Sequence, residues 1–394
     1  MSSFKKKSKR IFNVLLALVL GYFIVYGLST VSKSSKGPLG GFLESIGNMV
    51  KDIEQDNILG KREINRDKKL DWFKDQRKNK YALLKSKNIL FGAADDSNGE
   101  SYENIINLED SLALTFPIIQ IYKAWGEGQI YDFPKNKIDA IVRIGSVPMI
   151  TWEPWLEKFS KENFPKIKDL EQRNDHGLAS IANGDYDAYI KEWATEAAKV
   201  DTPIYLRMGH EMNDPYRYPW GPQNNEPEEY VAAFKHVRDV FESVGATNVI
   251  WVWSPHLSYG KFKEYYPGED YVDIIATGAL NYGTSTSWSD WWTFKEIFGN
   301  YYDQLAAFYK PIMIAEFGCL KPGGSRAKWF GETLENFNKK YPYVNAIVFF
   351  HYASDGTITY KNVDWYFKND TEVTNEIKKQ LQKWDPRIRQ PDIQ

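Results

Sequence analysis

Two glutamates, Glu211 and Glu316, stand where a pair of carboxylates could work together. Glu211 follows the apolar run Ile204 to Met208, within His210-Glu211-Met212-Asn213, and Glu316 follows Ile312 to Ala315, within Glu316-Phe317-Gly318. Cleaving a β-glycosidic bond requires one carboxylic acid to protonate the leaving oxygen and a second carboxylate to attack or to activate water; a separation of about 5 Å gives retention. A single glutamate at a strand end is ordinarily solvated or salt-bridged. The signal is that both occupy matched strand ends beside aromatic loops. Other chemistries find no support. Asp214 stands where an H-E-x-x-H helix requires its second histidine, and no G-x-S-x-G elbow, C-x-x-C pair or Walker A loop occurs. Asp95, Asp96 and Glu100 could hold a cation, but loop carboxylates ordinarily face water, and neither a metal nor a cofactor is assigned.

The elements that must position the pair are eight short apolar or β-branched runs: 89–91, 118–122, 148–152, 204–208, 249–253, 272–276, 312–315 and 346–350. Each is followed by a stretch long enough for a helix, which implies parallel strands in βαβ units. Between them, Ile190, Trp193, Ala194, Ala197 and Val200 repeat at helical spacing, as do Tyr230, Phe234, Val237, Phe241 and Val244. Pro227 opens the second of these helices and Gly245 follows it. An open doubly wound sheet is the alternative, but no Gly-rich phosphate loop follows the first run. The expected fold is therefore an α/β, (β/α)8 TIM barrel over residues 88–394. Its chemistry should lie at the C-terminal ends of the strands, where both glutamates fall.

Four blocks in order carry a family resemblance: Ile204 to Asn213, Trp251-Val252-Trp253-Ser254-Pro255, Tyr266 to Asp273, and Ile314 to Gly318. Together with Gly184-Asp185-Tyr186-Asp187 they resemble glycoside hydrolase family 26, a clan A family of β-mannanases and related endoglycanases, over roughly residues 90–368. The resemblance implies a retaining mechanism with Glu211 as acid/base and Glu316 as nucleophile. It also places His210 beside the acid at the reacting sugar and has Tyr282 donate a hydrogen bond to the nucleophile. Asn213, closing the same block, joins the substrate-binding candidates. Arg207 and Tyr282 could keep Glu316 ionised, although an arginine inside a barrel strand can also serve only to bridge core carboxylates.

The aromatic content of 15% exceeds what a core usually requires, and flat rings suit the apolar faces of sugars. Trp152, Trp220, Trp253 and Trp365 are the expected platforms, and His256 and His351 are further candidates for contact with substrate. Residues 214–221, Asp-Pro-Tyr-Arg-Tyr-Pro-Trp-Gly, depart from the mannanase pattern. The expectation is a β-1,3-1,4- or β-1,4-glucan, with β-1,4-mannan as the alternative substrate. A non-catalytic glycan-binding subunit of a polysaccharide synthesis or export complex is the alternative of another class.

A net charge of −2 gives no electrostatic reason to expect nucleic acid, and the single Cys319 excludes an internal disulfide framework. Residues 1–10 are basic and 11–31 form an uncharged run of about 30 Å as a helix, long enough for a bilayer core. The basic flank places the N-terminus inside and the catalytic domain outside a cell membrane; a cleaved signal peptide is the competing reading. Residues 32–87 read as a stalk. A single-pass anchor of this kind suggests work on a self-produced exopolysaccharide beside a polysaccharide synthase.

Overall fold

A computed structural model of the protein describes residue 60 and residues 65–356 and 362–393. Eight parallel strands close into one barrel in sequence order: β1 (Leu90–Asp95), β2 (Ile118–Ala124), β3 (Val147–Glu153), β4 (Ile204–Met208), β5 (Val249–Trp253), β6 (Ile274–Asn281), β7 (Ile312–Cys319) and β8 (Val344–His351). β8 pairs with β1, from Leu90 opposite Ala346 to Asp95 opposite His351. β4 and β5 span the residues expected from sequence. β1, β7 and β8 run four, four and one residues further at their C-terminal ends, and β6 begins two residues later.

Alternation along each strand separates two apolar layers. Leu90, Met149, Tyr205, Val252, Ala276 and Val348 fill the barrel interior. Their neighbours Phe91, Trp152, Leu206, Trp253 and Phe349 face the surrounding helices. Helix Asp187–Ala197 buries Ile190, Trp193, Ala194 and Ala197. Helix Pro227–Ser243 buries Tyr230, Phe234, Val237 and Phe241 and starts with Pro227, where a missing N–H costs nothing. The Glu229 side chain accepts the Glu226 backbone N–H at 2.7 Å, which satisfies one open donor of the first turn.

The expected stalk ends earlier than residue 87. Leu70, Phe73 and Leu83 are buried with the interior cluster, each contributing about 1.5–3 kcal/mol of apolar burial. Arg66 donates to Ile144 O at 3.0 Å and to Ser146 Oγ at 2.7 Å, and it pairs with Glu109. Residues 65–87 thus close the end of the barrel formed by the strands' N-termini. In sequence their charge concealed a few deeply buried anchors. The expected membrane segment, 11–31, lies outside the described residues; among those described, no helix is long and apolar enough to cross a membrane.

Candidate active site

The opposite end of the barrel opens into a cleft of about 1040 Å³, lined by Glu211 and Glu316 among others. Two backbone irregularities aim these side chains. β7 carries an extra residue: Thr277 pairs with Ile314 but Gly278 with Glu316, while on the other side Ala315 and Glu316 together face Val348. Ala315 stays in the interior layer, and the bulge turns Glu316 inward as well. Beyond β4, Gly209 and Glu211 adopt left-handed φ of 52° and 53°. For a glutamate that conformation costs on the order of 1–2 kcal/mol. The Glu211 N–H to Ser254 O bond at 2.7 Å holds it, and so does the Trp220 Nε1–H to His210 O bond at 2.8 Å. Strain of this kind concentrates where function requires it.

The two carboxylates face each other. A methyl carbon placed on Gly278 would lie 3.6 Å from Glu316 Oε2 and 3.8 Å from Glu211 Oε1, so both oxygens approach one point beside Gly278. Arg207 donates to Glu316 Oε1 at 2.6 Å, Tyr122 Oη donates to the same oxygen at 2.8 Å, and Arg207 Nε is fixed by Thr151 at 2.9 Å. Burial alone would raise the Glu316 pKa. The Arg207 charge and hydrogen bond, with Arg217 and Tyr122, outweigh it and hold Glu316 below the usual carboxylate value. Burial pushes the Tyr122 phenol up, so its proton stays available to donate. Arg217 pairs with Glu211 Oε2 at 3.0 Å, while Oε1 faces the cleft. A carboxylate held ionised opposite a second carboxylate is an arrangement that could serve double displacement at an anomeric carbon.

The remaining candidates divide. His210 is buried, with Nε2 3.0 Å from Tyr218 Oη; burial, followed by the charges of Arg207 and Arg217, takes its pKa well below the ordinary value, so it is neutral. Tyr282 lines the cleft, but its hydroxyl has no partner among the described residues. The hydrogen bond to Glu316 expected from it comes from Tyr122 instead. Asn213 is a staple rather than a substrate contact: it accepts from His256 N at 2.7 Å and donates to His256 O and Gly260 O at 2.8 and 2.9 Å, joining the loops after β4 and β5.

The tryptophan expectation needs correction. Trp152 and Trp253 are fully buried on the outward faces of their strands, Trp152 stacking on Trp193 and Trp253 against Tyr266 and Phe308. Trp220 is buried under its stack with Tyr218. Trp365 is buried behind Tyr282, edge-on at 4.9 Å, with Nε1 on Asp355 at 3.0 Å. None offers a face to a ligand. Besides Tyr301, half-buried on helix Asn300–Ala306, the accessible aromatic groups in the cleft are Tyr216, Tyr259, Trp288 and Trp292. They lie in loops, where no periodic pattern marked them. His256 also lines the cleft, whereas His351 is buried outside it against Tyr366.

Glu211, Asp214 and His256 bring donor atoms within 4.8 Å of one another, the one group of this kind among the described residues. Arg217 beside Glu211 opposes a cation there.

An eight-stranded parallel barrel with paired carboxylates at its open end defines a class that the comparisons narrow. The sequence profile for Glycosyl hydrolase family 26 matches residues 96–370, and the chain belongs to that family. It is 35% identical over 244 residues to Endoglucanase H of Acetivibrio thermocellus, covering 60% of this chain and 24% of that protein. It is 28% identical over 178 residues to a mannan endo-1,4-beta-mannosidase of Bacillus subtilis, covering 42% and 43%. The chain thus spans well under two thirds of either relative. The catalytic domain of an endo-beta-1,4-mannanase of Bacillus sp. JAMB-750 shares the fold with a TM-score of 0.57 at 16% identity, over 78% of this chain and 90% of that one.

Proposed function

We propose that the protein is a retaining endo-β-glycanase acting on a neutral β-linked glucan, with Glu316 as nucleophile and Glu211 as acid/base. The convergence of the two carboxylates on one point, with Glu316 held ionised, carries this reading. Glu316 Oε2 attacks the anomeric carbon as Glu211 gives its proton to the departing glycosidic oxygen, which leaves a glycosyl ester. Water, deprotonated by Glu211, then attacks that carbon and releases Glu316, restoring both groups. Arg207 and Arg217 pair Glu316 and Glu211, which leaves Asp214 and Glu296 as the uncompensated charges of the cleft lining, an acidic remainder that disfavours anionic polymers and favours neutral ones. The higher identity to an endoglucanase than to a mannosidase supports glucan over mannan.

Purified protein assayed on lichenan, glucomannan, carboxymethylcellulose and β-1,3-xylan should cleave lichenan fastest; cleavage of none would overturn the reading, and preference for glucomannan would make it a mannanase. Glu316→Ala should lose at least about 10⁴-fold on every substrate, as a unit nucleophile does. Glu211→Ala should lose about 10²–10⁴-fold on polymer but much less on aryl glycosides, whose leaving groups need no proton.

The basic segment and apolar run of residues 1–31 further support an enzyme tethered to a cell membrane, trimming or releasing a polymer made by a synthase in the same cell. Deleting residues 11–31 should then change polymer length or release in the producing cell; unchanged polymer would exclude this role.

A further inference from the structure

Gly278 is a glycine in mid-strand that the fold itself does not require. Strand-interior glycine weakens a strand and gives it no side chain to pack, so such a residue ordinarily answers to a left-handed φ or to a close backbone approach. Neither holds here. Gly278 is absent from the positive-φ glycines, and an added Cβ would meet nothing nearer than 3.6 Å, ordinary van der Waals contact. Gly92 shows the contrast: its Cβ would meet Ile118 O at 2.8 Å, a packing reason for glycine. The bulge beside Gly278 does not need it either, since the extra residue is on β7. The three atoms nearest to the missing Cβ are Oε2 and Cβ of Glu316 and Oε1 of Glu211.

We propose that Gly278 is a positioning residue that keeps open the space for the reacting sugar between the two carboxylates, an inference that rests on the function proposed above. An attacked carbon must come within about 3–3.5 Å of the nucleophile, and a methyl on Gly278, 3.6 Å from Glu316 Oε2, would stand at the edge of that shell and crowd the carbon out of it. The methyl would also crowd the oxygen of Glu211 that must reach the glycosidic oxygen. Around it, Tyr122, Arg207 and Glu316 supply bulk and charge to the same site, and Gly278 lines the cleft without a side chain.

Gly278→Ala tests this in the full-length protein. Its melting temperature should match the wild type, because the added carbon meets only ordinary contacts. Its turnover should fall about 100-fold, the scale of a misplacement of roughly 1 Å at the reacting centre. The loss should lie in kcat, with KM for polymer little changed, because the aromatic groups further along the cleft still bind the chain. It should be as large on an aryl glycoside as on polymer. Activity within threefold of wild type would overturn the inference, and so would a fall in melting temperature that accounts for the lost activity. Failure of the wild type to cleave any β-glycan would instead strike the proposed function, so the two failures are told apart.

Discussion

The two ends of the barrel each bury an arginine–glutamate pair, and the pairs are built to opposite purposes. At the closed end, Arg66 and Glu109 are 4% and 3% exposed and enclosed by protein: Arg66 reaches Ile144 O, Phe116 O and Ser146 Oγ, and Glu109 Oε1 also accepts the Phe116 N–H at 2.7 Å. At the open end, Arg207 and Glu316 are as deeply placed, at 1% and 7%. There Arg207 and Tyr122 hold only Oε1, and Oε2 is turned toward Glu211 and the cleft. Burial of an ion pair is therefore no sign of its role. What distinguishes the second pair is an acceptor left unfilled at a position where a ligand can arrive.

The largest effect expected from this comparison is at the closed end. Arg66→Met leaves Glu109 buried without its cation, and breaking such a pair costs about 3–5 kcal/mol. Urea unfolding should show that loss while kcat per folded molecule stays at the wild-type value. A loss below about 1 kcal/mol would mean that residues 65–87 contribute little to the barrel. Next is Arg207→Met, which should lower kcat/KM about 10²–10³-fold, the usual consequence of removing one charge-stabilising donor. Its stability loss should be smaller than that of Arg66→Met, because Glu316 borders the cleft, where water can reach the bared carboxylate. Equal stability losses with modest loss of activity would erase the distinction between the two ends.

Much of this was legible in sequence, and the misses share physical causes. The strands whose apolar runs are bounded by loop residues, β4 and β5, were read with their observed bounds, since a fully buried parallel strand is apolar throughout. The strand tops were cut short because Gly92, Glu316 and His351 break that pattern while remaining in the sheet; at β7 the residue that ends the hydrophobic signal is the one that matters to the site. The paired carboxylates could be found because strand order puts both at the open end, whereas the β7 bulge and the left-handed turn that aim them leave no mark in the pattern. The tryptophans could not, since that depends on which face of a strand each occupies. Parity along β3 would have helped: Val147 and Met149 face the interior, which puts Trp152 outside. The same parity on β2, where Ile118 faces inward, points Tyr122 into the site. The loop aromatics and Arg217 depend on long-range loop packing that no local spacing records.

Tyr122→Phe is the smallest change expected to separate the two pairs, and it sharpens the comparison most. It removes one hydrogen bond to Glu316 Oε1 and leaves Arg207 and the ring packing in place, so it should cost about 1–2 kcal/mol of transition-state stabilisation, roughly tenfold in kcat/KM. The pH dependence gives the sign. Glu316 must be ionised to attack, and in the wild type Arg207 and Tyr122 hold its pKa below the ordinary value, against burial. Removing the Tyr122 hydroxyl moves that pKa upward, so the acid limb of the kcat/KM profile should shift to higher pH while the alkaline limb stays. Loss of the tyrosine as a mere packing element would lower the whole profile without moving the acid limb, and that outcome would return Tyr122 to the structural side of the comparison, beside the neighbours of Arg66.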